Sequence, residues 1–311
     1  MSPRAVLALL TLSAMFGASF LFMRVAAPVL GPVLLVEVRV GLAGLTLLAY
    51  GLLSGRLRRP GPGWWRYVVT GLLQSALPFT LFATASLTLT ASFTSTLNAT
   101  TPIATALVAA LWLGDRLTRR GVLGLLLGLV GVAVLVGFGP LPLTRPVLLA
   151  TGYSLLAATS YAFAAVFARS RLHGEPPLAV SAYGLTAAAV LLLPLLPFNG
   201  PVGELTPAVV GSALTLSLVS TALAFLLFYF VLQEAGPTRA TMVTYLAPAF
   251  GVLWGWLLLD EPLAAGMFVG FGLVLLSVAL VAGGVRPARG AAAAPAQAPG
   301  ATRPAEPPVG D

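Results

Sequence analysis

The sequence predicts an all-α membrane protein of ten transmembrane helices in two inverted five-helix repeats. Three observations predict it. Of 311 residues, 58% are hydrophobic and 8% charged, and the mean hydropathy is +0.97. Soluble domains carry roughly 25% charge, so lipid is the simpler solvent for this much apolar surface. Apolar runs long enough to cross a bilayer recur along the chain. Finally, segments of the first half reappear in the second at a near-constant offset.

A membrane helix needs about 20 mostly apolar residues. Ten such runs lie at roughly 5–25, 33–53, 66–86, 91–113, 121–138, 147–168, 178–198, 207–232, 238–259 and 265–284, between short loops rich in Pro, Gly and Arg. The first follows Arg4 and has the outline of a secretory signal. Its apolar run is too long for one, and nine spans follow, so it reads as an uncleaved first helix. Residues 285–311 are rich in Ala, Pro and Gly and read as a disordered cytoplasmic tail.

Orientation follows from arginine, because the chain has no lysine. With the N-terminus in the cytoplasm, one side receives Arg4, Arg56, Arg58, Arg59, Arg66, Arg116, Arg119, Arg120, Arg169, Arg171, Arg239, Arg286, Arg289 and Arg303. The other receives Arg24 and Arg145, and Arg39 lies inside span 2. Cytoplasmic loops collect arginine, so both termini are expected in the cytoplasm. Trp64 and Trp65 beside Arg66 fit an interfacial aromatic belt.

The repeat is read from matched positions. ALPFTLF at 76–82 agrees with ALAFLLF at 222–228 in five of seven places, at an offset of 146. The same offset joins Pro102 to Pro248, Leu113 to Leu259, Asp115 to Glu261, Leu117 to Leu263 and Gly124 to Gly270. At 145, Phe22 meets Phe167 and Arg24 meets Arg169. The expected division is a first repeat at 1–138, a linker at 139–146 and a second repeat at 147–284. Five spans are an odd number, so the second repeat enters from the opposite side. Arg116, Arg119 and Arg120 follow Asp115, whereas Pro262 and no nearby arginine follow Glu261, as inversion requires. Inverted repeats are a common construction of secondary transporters, with the site near the midplane. A duplication that is history alone gives the same offset.

FGASFLFMRVA in the first span, ALPFTLFATASLTLT in the third and the paired P-x(10)-LGD and P-x(10)-LDE segments resemble the EamA-type members of the drug/metabolite transporter superfamily. The resemblance covers about nine-tenths of the chain. Within that group it is most like the YddG-type aromatic amino acid exporters. It implies an inner-membrane carrier, a central cavity lined by helices 1, 3, 4, 6, 8 and 9, and export of amino acids or related metabolites. These motifs hold helices together and do not read a ligand.

Polar and aromatic residues sharing one helical face mark a candidate path. In span 4, Thr94, Asn98, Thr101 and Thr105 form one stripe. Pro102 beside them frees a carbonyl that a threonine hydroxyl or water satisfies. Span 9 repeats the design with Thr241, Thr244, Tyr245 and Pro248. Span 1 offers Ser13, Phe16, Gly17, Phe20 and Arg24, and its counterpart span 6 offers Ser154, Tyr161 and Arg169. Span 3 groups Gln74, Ser75, Pro78 and Phe82, and span 8 groups Ser217, Thr221, Phe228 and Tyr229. The expected substrate-binding set is Phe16, Phe20, Gln74, Pro78, Phe82, Asn98, Thr101, Tyr161, Phe228 and Tyr245, with Pro102 and Pro248 as helix kinks. Such a cavity suits an amphipathic metabolite, its apolar part on Phe and Tyr and its polar end on neutral groups. Helix packing explains the same pattern without a ligand.

Two charges lie in span 2. Glu37 and Arg39, at i and i+2, point to nearly opposite sides and cannot simply pair. They read as structural contacts near the outer interface, with Arg24 a partner for Glu37. A proton relay through Glu37 is the sharper alternative, since an intramembrane ionisable group is a functional candidate by default. No carboxylate sits at the centre of any span, which disfavours cationic drugs and tight proton antiport. The Gly-x-x-x-Gly spacings in spans 5 and 10 read as close helix packing, with a dimer face as the other option.

Cysteine is absent, which excludes disulfides and thiolate chemistry. The lone His173 reads as a solvated loop residue. No His/Asp/Glu cluster, Ser–His arrangement or nucleotide loop points to an enzyme. No catalytic residue, metal or cofactor is expected, and no nucleic-acid partner. The expected partners are a small-molecule substrate and the bilayer, with one copy sufficient. Export of apolar amino acids is the leading reading. A broad drug/metabolite efflux carrier and a channel are the alternatives.

Overall fold

The computed structural model describes residues 2–57, 60–172 and 174–286. His173, Arg58, Arg59 and the expected tail beyond residue 286 lie outside them. Among the described residues, nine apolar helices are long enough to cross a membrane. They are α1 (Pro3–Leu30), α2 (Pro32–Leu53), α3 (Trp65–Ala85), α4 (Ala91–Leu113), α5 (Arg119–Phe138), α6 (Arg145–Arg171), α7 (Pro177–Phe198), α8 (Pro207–Ala235) and α10 (Ala265–Ala282). Between the last two, α9 comes in two pieces, Pro237–Ala240 and Val243–Leu259. Each expected span has its helix. The protein is an all-α, multi-pass membrane protein of two inverted repeats.

The helices start where local chemistry favours it. Proline opens α1, α2, α7 and α8, where its missing N–H costs nothing. Ser2, Thr90, Thr118 and Thr206 each accept a hydrogen bond from a first-turn amide. Gly31, at φ +78°, turns the chain from α1 into α2. Asn199 clamps that turn, donating to the Leu30 carbonyl at 2.7 Å and accepting from the Leu34 amide at 2.9 Å. The outside of the bundle is apolar: Leu53, Leu111 and Phe198 are 90%, 80% and 82% exposed. That surface fits lipid and would not fit water.

The repeat is visible in the backbone. A π-helical turn interrupts α3 at Leu72–Ala76 and another interrupts α8 at Leu218–Leu223, starting 146 residues apart. The left-handed residues ending α4 and α9, Gly114 and Asp260, share that offset. The Gly-x-x-x-Gly faces of α5 and α10 pack against the opposite helix inside the chain. A Cβ on Gly124 would stand 2.8 Å from Val281 of α10, and one on Gly270 2.8 Å from the Leu135 amide of α5. The dimer option for these faces is therefore replaced by α5–α10 packing.

A two-residue ribbon joins β1 (Arg116–Leu117) to β2 (Val285–Arg286) in antiparallel register. It ties the α4–α5 loop to the end of α10. Both lie on the face that carries the N-terminus, as an even number of crossings requires.

Candidate functional site

A cavity of about 250 Å³ lies between the repeats, midway along the helices. Its walls come from α1, α2, α3, α4, α6, α8 and α9. Repeat-related pairs both line it: Phe16 and Tyr161, Gln74 and Ser220, Phe79 and Phe225, Asn98 and Thr244. The two halves therefore contribute equivalent positions to one site. Edge-to-face rings build one wall, with Phe20–Phe82 at 5.5 Å and Phe16–Phe225 at 6.2 Å between centroids.

Seven of the ten expected residues line this space: Phe16, Phe20, Gln74, Phe82, Asn98, Thr101 and Tyr161. Three do not. Pro78 is buried just after the π-turn of α3, and Phe79 reaches the cavity in its place. Phe228 packs with Leu9 and Leu12 of α1, and Phe225, one turn earlier, lines the wall. The extra residue of a π-turn rotates every later side chain about the helix axis, so a strict 3.6-residue stripe misplaces them. Tyr245 packs against Val274 and Val278 of α10, as does its repeat equivalent Ala99. The 146-residue offset maps Asn98 onto Thr244, and Thr244 is the cavity residue of α9.

The polar stripe of α4 is divided. The helix breaks at residues 99–100, and Pro102 lies in the first turn of its second piece. The carbonyl that Pro102 leaves without its usual amide, that of Asn98, accepts from the Thr101 hydroxyl at 2.8 Å. Thr94 and Thr105 hydrogen-bond to their own helix backbone and do not line the cavity. In α9 the break falls at residues 241–242, and Pro248 sits within the longer piece.

Arg39 is the largest correction. It is not an interfacial contact; it lines the cavity and is 5% exposed. Its Nε donates to Thr221 Oγ1 at 2.9 Å, and its guanidinium carbon lies 3.6 Å from the Phe79 ring centroid. The Thr221 hydroxyl in turn donates to the Leu216 carbonyl, five residues back, which the π-turn makes reachable. Sequence reasoning placed Arg39 away from the path because α2 was not expected to contribute. Its place within span 2, away from the arginine-bearing loops, was the available signal.

Arg24 does not pair with Glu37. Its guanidinium donates to the Ser86 and Leu87 carbonyls at 2.7 and 3.3 Å. Glu37 faces away from the cavity, and one of its carboxylate oxygens is buried without a hydrogen-bond partner among the described residues. Glu37→Gln is expected to leave the substrate KM within about twofold of wild type, since uniform binding is untouched. A larger change in reconstituted transport would put Glu37 on the path.

The ends of α4 and α9 are held differently. On the face opposite the N-terminus, the Glu261 carboxylate accepts from the Ala91 and Ser92 amides at 2.6 and 2.9 Å, capping α4. Ser95 Oγ reaches the Pro248 carbonyl, and a Cβ on Gly251 would stand 2.5 Å from Ser95. The first half of α4 thus lies tightly along α9. Its second half packs on α6 and α10 instead. There Asp115 is held by Arg169 through two hydrogen bonds, 2.7 and 3.1 Å.

A lipid-exposed bundle of inverted repeats around a midplane cavity is the architecture of a membrane transporter. The chain belongs to the EamA-like transporter family, whose model matches residues 3–137 and again 148–283. It is similar to the uncharacterized transporter YvbV of Bacillus subtilis, 28% identical over 89% of this chain and 91% of that one. The uncharacterized inner membrane transporter YedA of Escherichia coli is 25% identical over 88% and 89%. A crystal structure of a protein 20% identical to this chain shares the fold, with a TM-score of 0.62 over 90% of this chain and 96% of the other.

Proposed function

We propose that the protein is a secondary carrier that exports amino acids, aromatic and other apolar ones first, and related metabolites across the bacterial inner membrane by alternating access. Both termini face the cytoplasm in this reading, and the repeats divide at 1–138 and 147–284. The observation that carries it is the cavity shared by both repeats, with aromatic walls, a few neutral hydrogen-bonding groups and one cation, Arg39. An amphipathic molecule fits that chemistry. Its volume of about 250 Å³ falls below the roughly 300–1,000 Å³ of sites for drug-sized ligands. This favours amino acids over bulky drugs.

Alternating access is supported by the unequal ends of α4 and α9. The outer contacts through Glu261, Ser95 and Gly251 are closed. At the cytoplasmic end α4 leans on α6. Inverted repeats supply the opposite state by exchanging these two arrangements. The cavity is enclosed by one chain, so one copy suffices.

Purified protein in liposomes tests the reading. Counterflow of labelled phenylalanine, competed by methionine, is expected. Asn98→Ala should reduce it about tenfold by removing a cavity hydrogen bond. Tyr245→Ala should not change competition among substrates, because Tyr245 packs on α10. Inertness to every amino acid, with movement of dyes, would establish broad efflux instead. Flux that never saturates would establish a channel.

A further inference from the structure

Arg39 is a buried cation that its surroundings do not neutralise. Among the described residues its partners are a hydroxyl, a methionine sulfur and an aromatic face. No carboxylate among them lies within 4 Å of it, since the ion pair found is Arg169–Asp115. An unpaired charge held away from water is costly, and more so within a membrane. Two further groups of the same cavity lack hydrogen-bond partners among the described residues. Ser19 Oγ and Ser220 Oγ are buried, line the same cavity and make no hydrogen bond. Ser19 lies one turn from Met23, whose sulfur meets Arg39, and Ser220 precedes Thr221, which accepts from it. One aromatic chamber therefore holds a positive charge and two unused hydroxyls, all in its lining.

Nothing on the other side mirrors it. At the repeat offset Arg39 falls on Gly184 or Leu185. Among the described residues, no aspartate or glutamate lines the cavity. An incoming anion meets a guanidinium of opposite charge, while an incoming ammonium meets neutral oxygens and ring faces beside a like charge.

Resting on the transport reading above, we propose that Arg39, with Ser19 and Ser220, forms a carboxylate-binding subsite. The site recognises small monocarboxylates that carry an aromatic or aliphatic side chain. The α-ammonium group is not required. The substrate class therefore includes the amine-free analogues of apolar amino acids as well as the amino acids themselves. Binding neutralises the buried guanidinium. Arginine presents a planar fork to a carboxylate, and such charge-assisted bonds are stronger than neutral ones.

Three probes with one ring system test this: phenylalanine, 3-phenylpropionate and phenethylamine. Thermal stabilisation of the purified protein reads binding, and counterflow reads transport. Phenylalanine and 3-phenylpropionate should both stabilise the protein and compete, whereas phenethylamine should do neither. Arg39→Gln should weaken carboxylate binding by about tenfold to a hundredfold. Without ligand it should melt no lower than wild type, because an unpaired buried charge has gone. Arg39→Lys keeps the charge and should keep part of the binding.

Equal stabilisation by phenethylamine, or unaltered carboxylate binding in Arg39→Gln, would overturn the subsite while leaving amino acid transport standing. Binding and movement of 3-phenylpropionate without phenylalanine would keep the subsite and overturn the amino acid reading. If Arg39→Gln does not fold, the wild-type series and Arg39→Lys still decide the matter. If none of the three stabilises or competes, the subsite is wrong.

Discussion

Glu261→Gln is expected to open the outer face of the protein. Its carboxylate is buried and takes two backbone amides at the start of α4. Those amides have no helical partner of their own, so the carboxylate completes the helix end. A neutral amide keeps the shape but gives up the charge-assisted bonds. The loss is about 2 kcal/mol, which shifts a two-state equilibrium about thirtyfold. On the alternating-access reading proposed above, this contact belongs to the outward-closed state, so the opposite state loses less. The chain lacks cysteine, so a single Ser220→Cys placed in the cavity reports access cleanly. A membrane-impermeant maleimide applied from the outside should label that cysteine at least tenfold faster when Glu261→Gln is added. Unchanged labelling would show that Glu261 only braces a helix end.

The second large effect is expected at Gly251. Here α9 crosses α1 and α4 with no room for a side chain. A Cβ at Gly251 would meet Ser95 at 2.5 Å, and one at Gly17 would meet the Ala247 carbonyl at 2.6 Å. Overpacking of this kind costs about 1–3 kcal/mol. On the alternating-access reading, Gly251→Leu places that cost on the outward-closed state. Transport should fall about tenfold or more, with the Ser220→Cys reporter open to the outside. Gly137→Leu is the control, because nothing stands within 4 Å of its Cβ direction. Equal transport in both variants would remove the α1–α4–α9 crossing from the mechanism. Equal amounts of membrane-inserted protein, with matched melting, separate either result from misfolding.

Much of this was legible in the chain. Hydrophobic length gives the spans because lipid admits only helices and closed barrels. The 146-residue offset gives the duplication, and it finds Thr244 from Asn98 more reliably than helical stripes do. Stripes lead to Phe16, Phe20, Gln74, Phe82, Asn98, Thr101 and Tyr161, all of which line the cavity. They failed at Pro78 and Phe228, where the helix is not 3.6-fold. A π-turn adds a residue without any mark in composition, and the side chains beyond it turn accordingly.

Arg39 shows the other limit. Its side chain reaches between helices, so its neighbours come from α1, α3 and α8 and are far away in sequence. Helix periodicity gives the direction of a Cβ and says nothing of how far a long side chain extends. Glu261 is similar: its repeat partner Asp115 binds an arginine, while Glu261 binds backbone amides 169 and 170 residues away.

The sequence by itself determined a membrane protein, ten crossings, a duplication and its inversion. These follow from composition, span length and the placing of arginine, each of which is a property of the chain read in order. Only the tertiary structure decided that α2 contributes a cation to the cavity. It alone decided that the glycine faces of α5 and α10 consume each other, and that α4 lies on α9 at one end and on α6 at the other. Those depend on which helices approach within a few ångströms. In a bilayer that choice is made by close packing and a few polar contacts, because hydrophobicity, already satisfied by lipid, cannot make it.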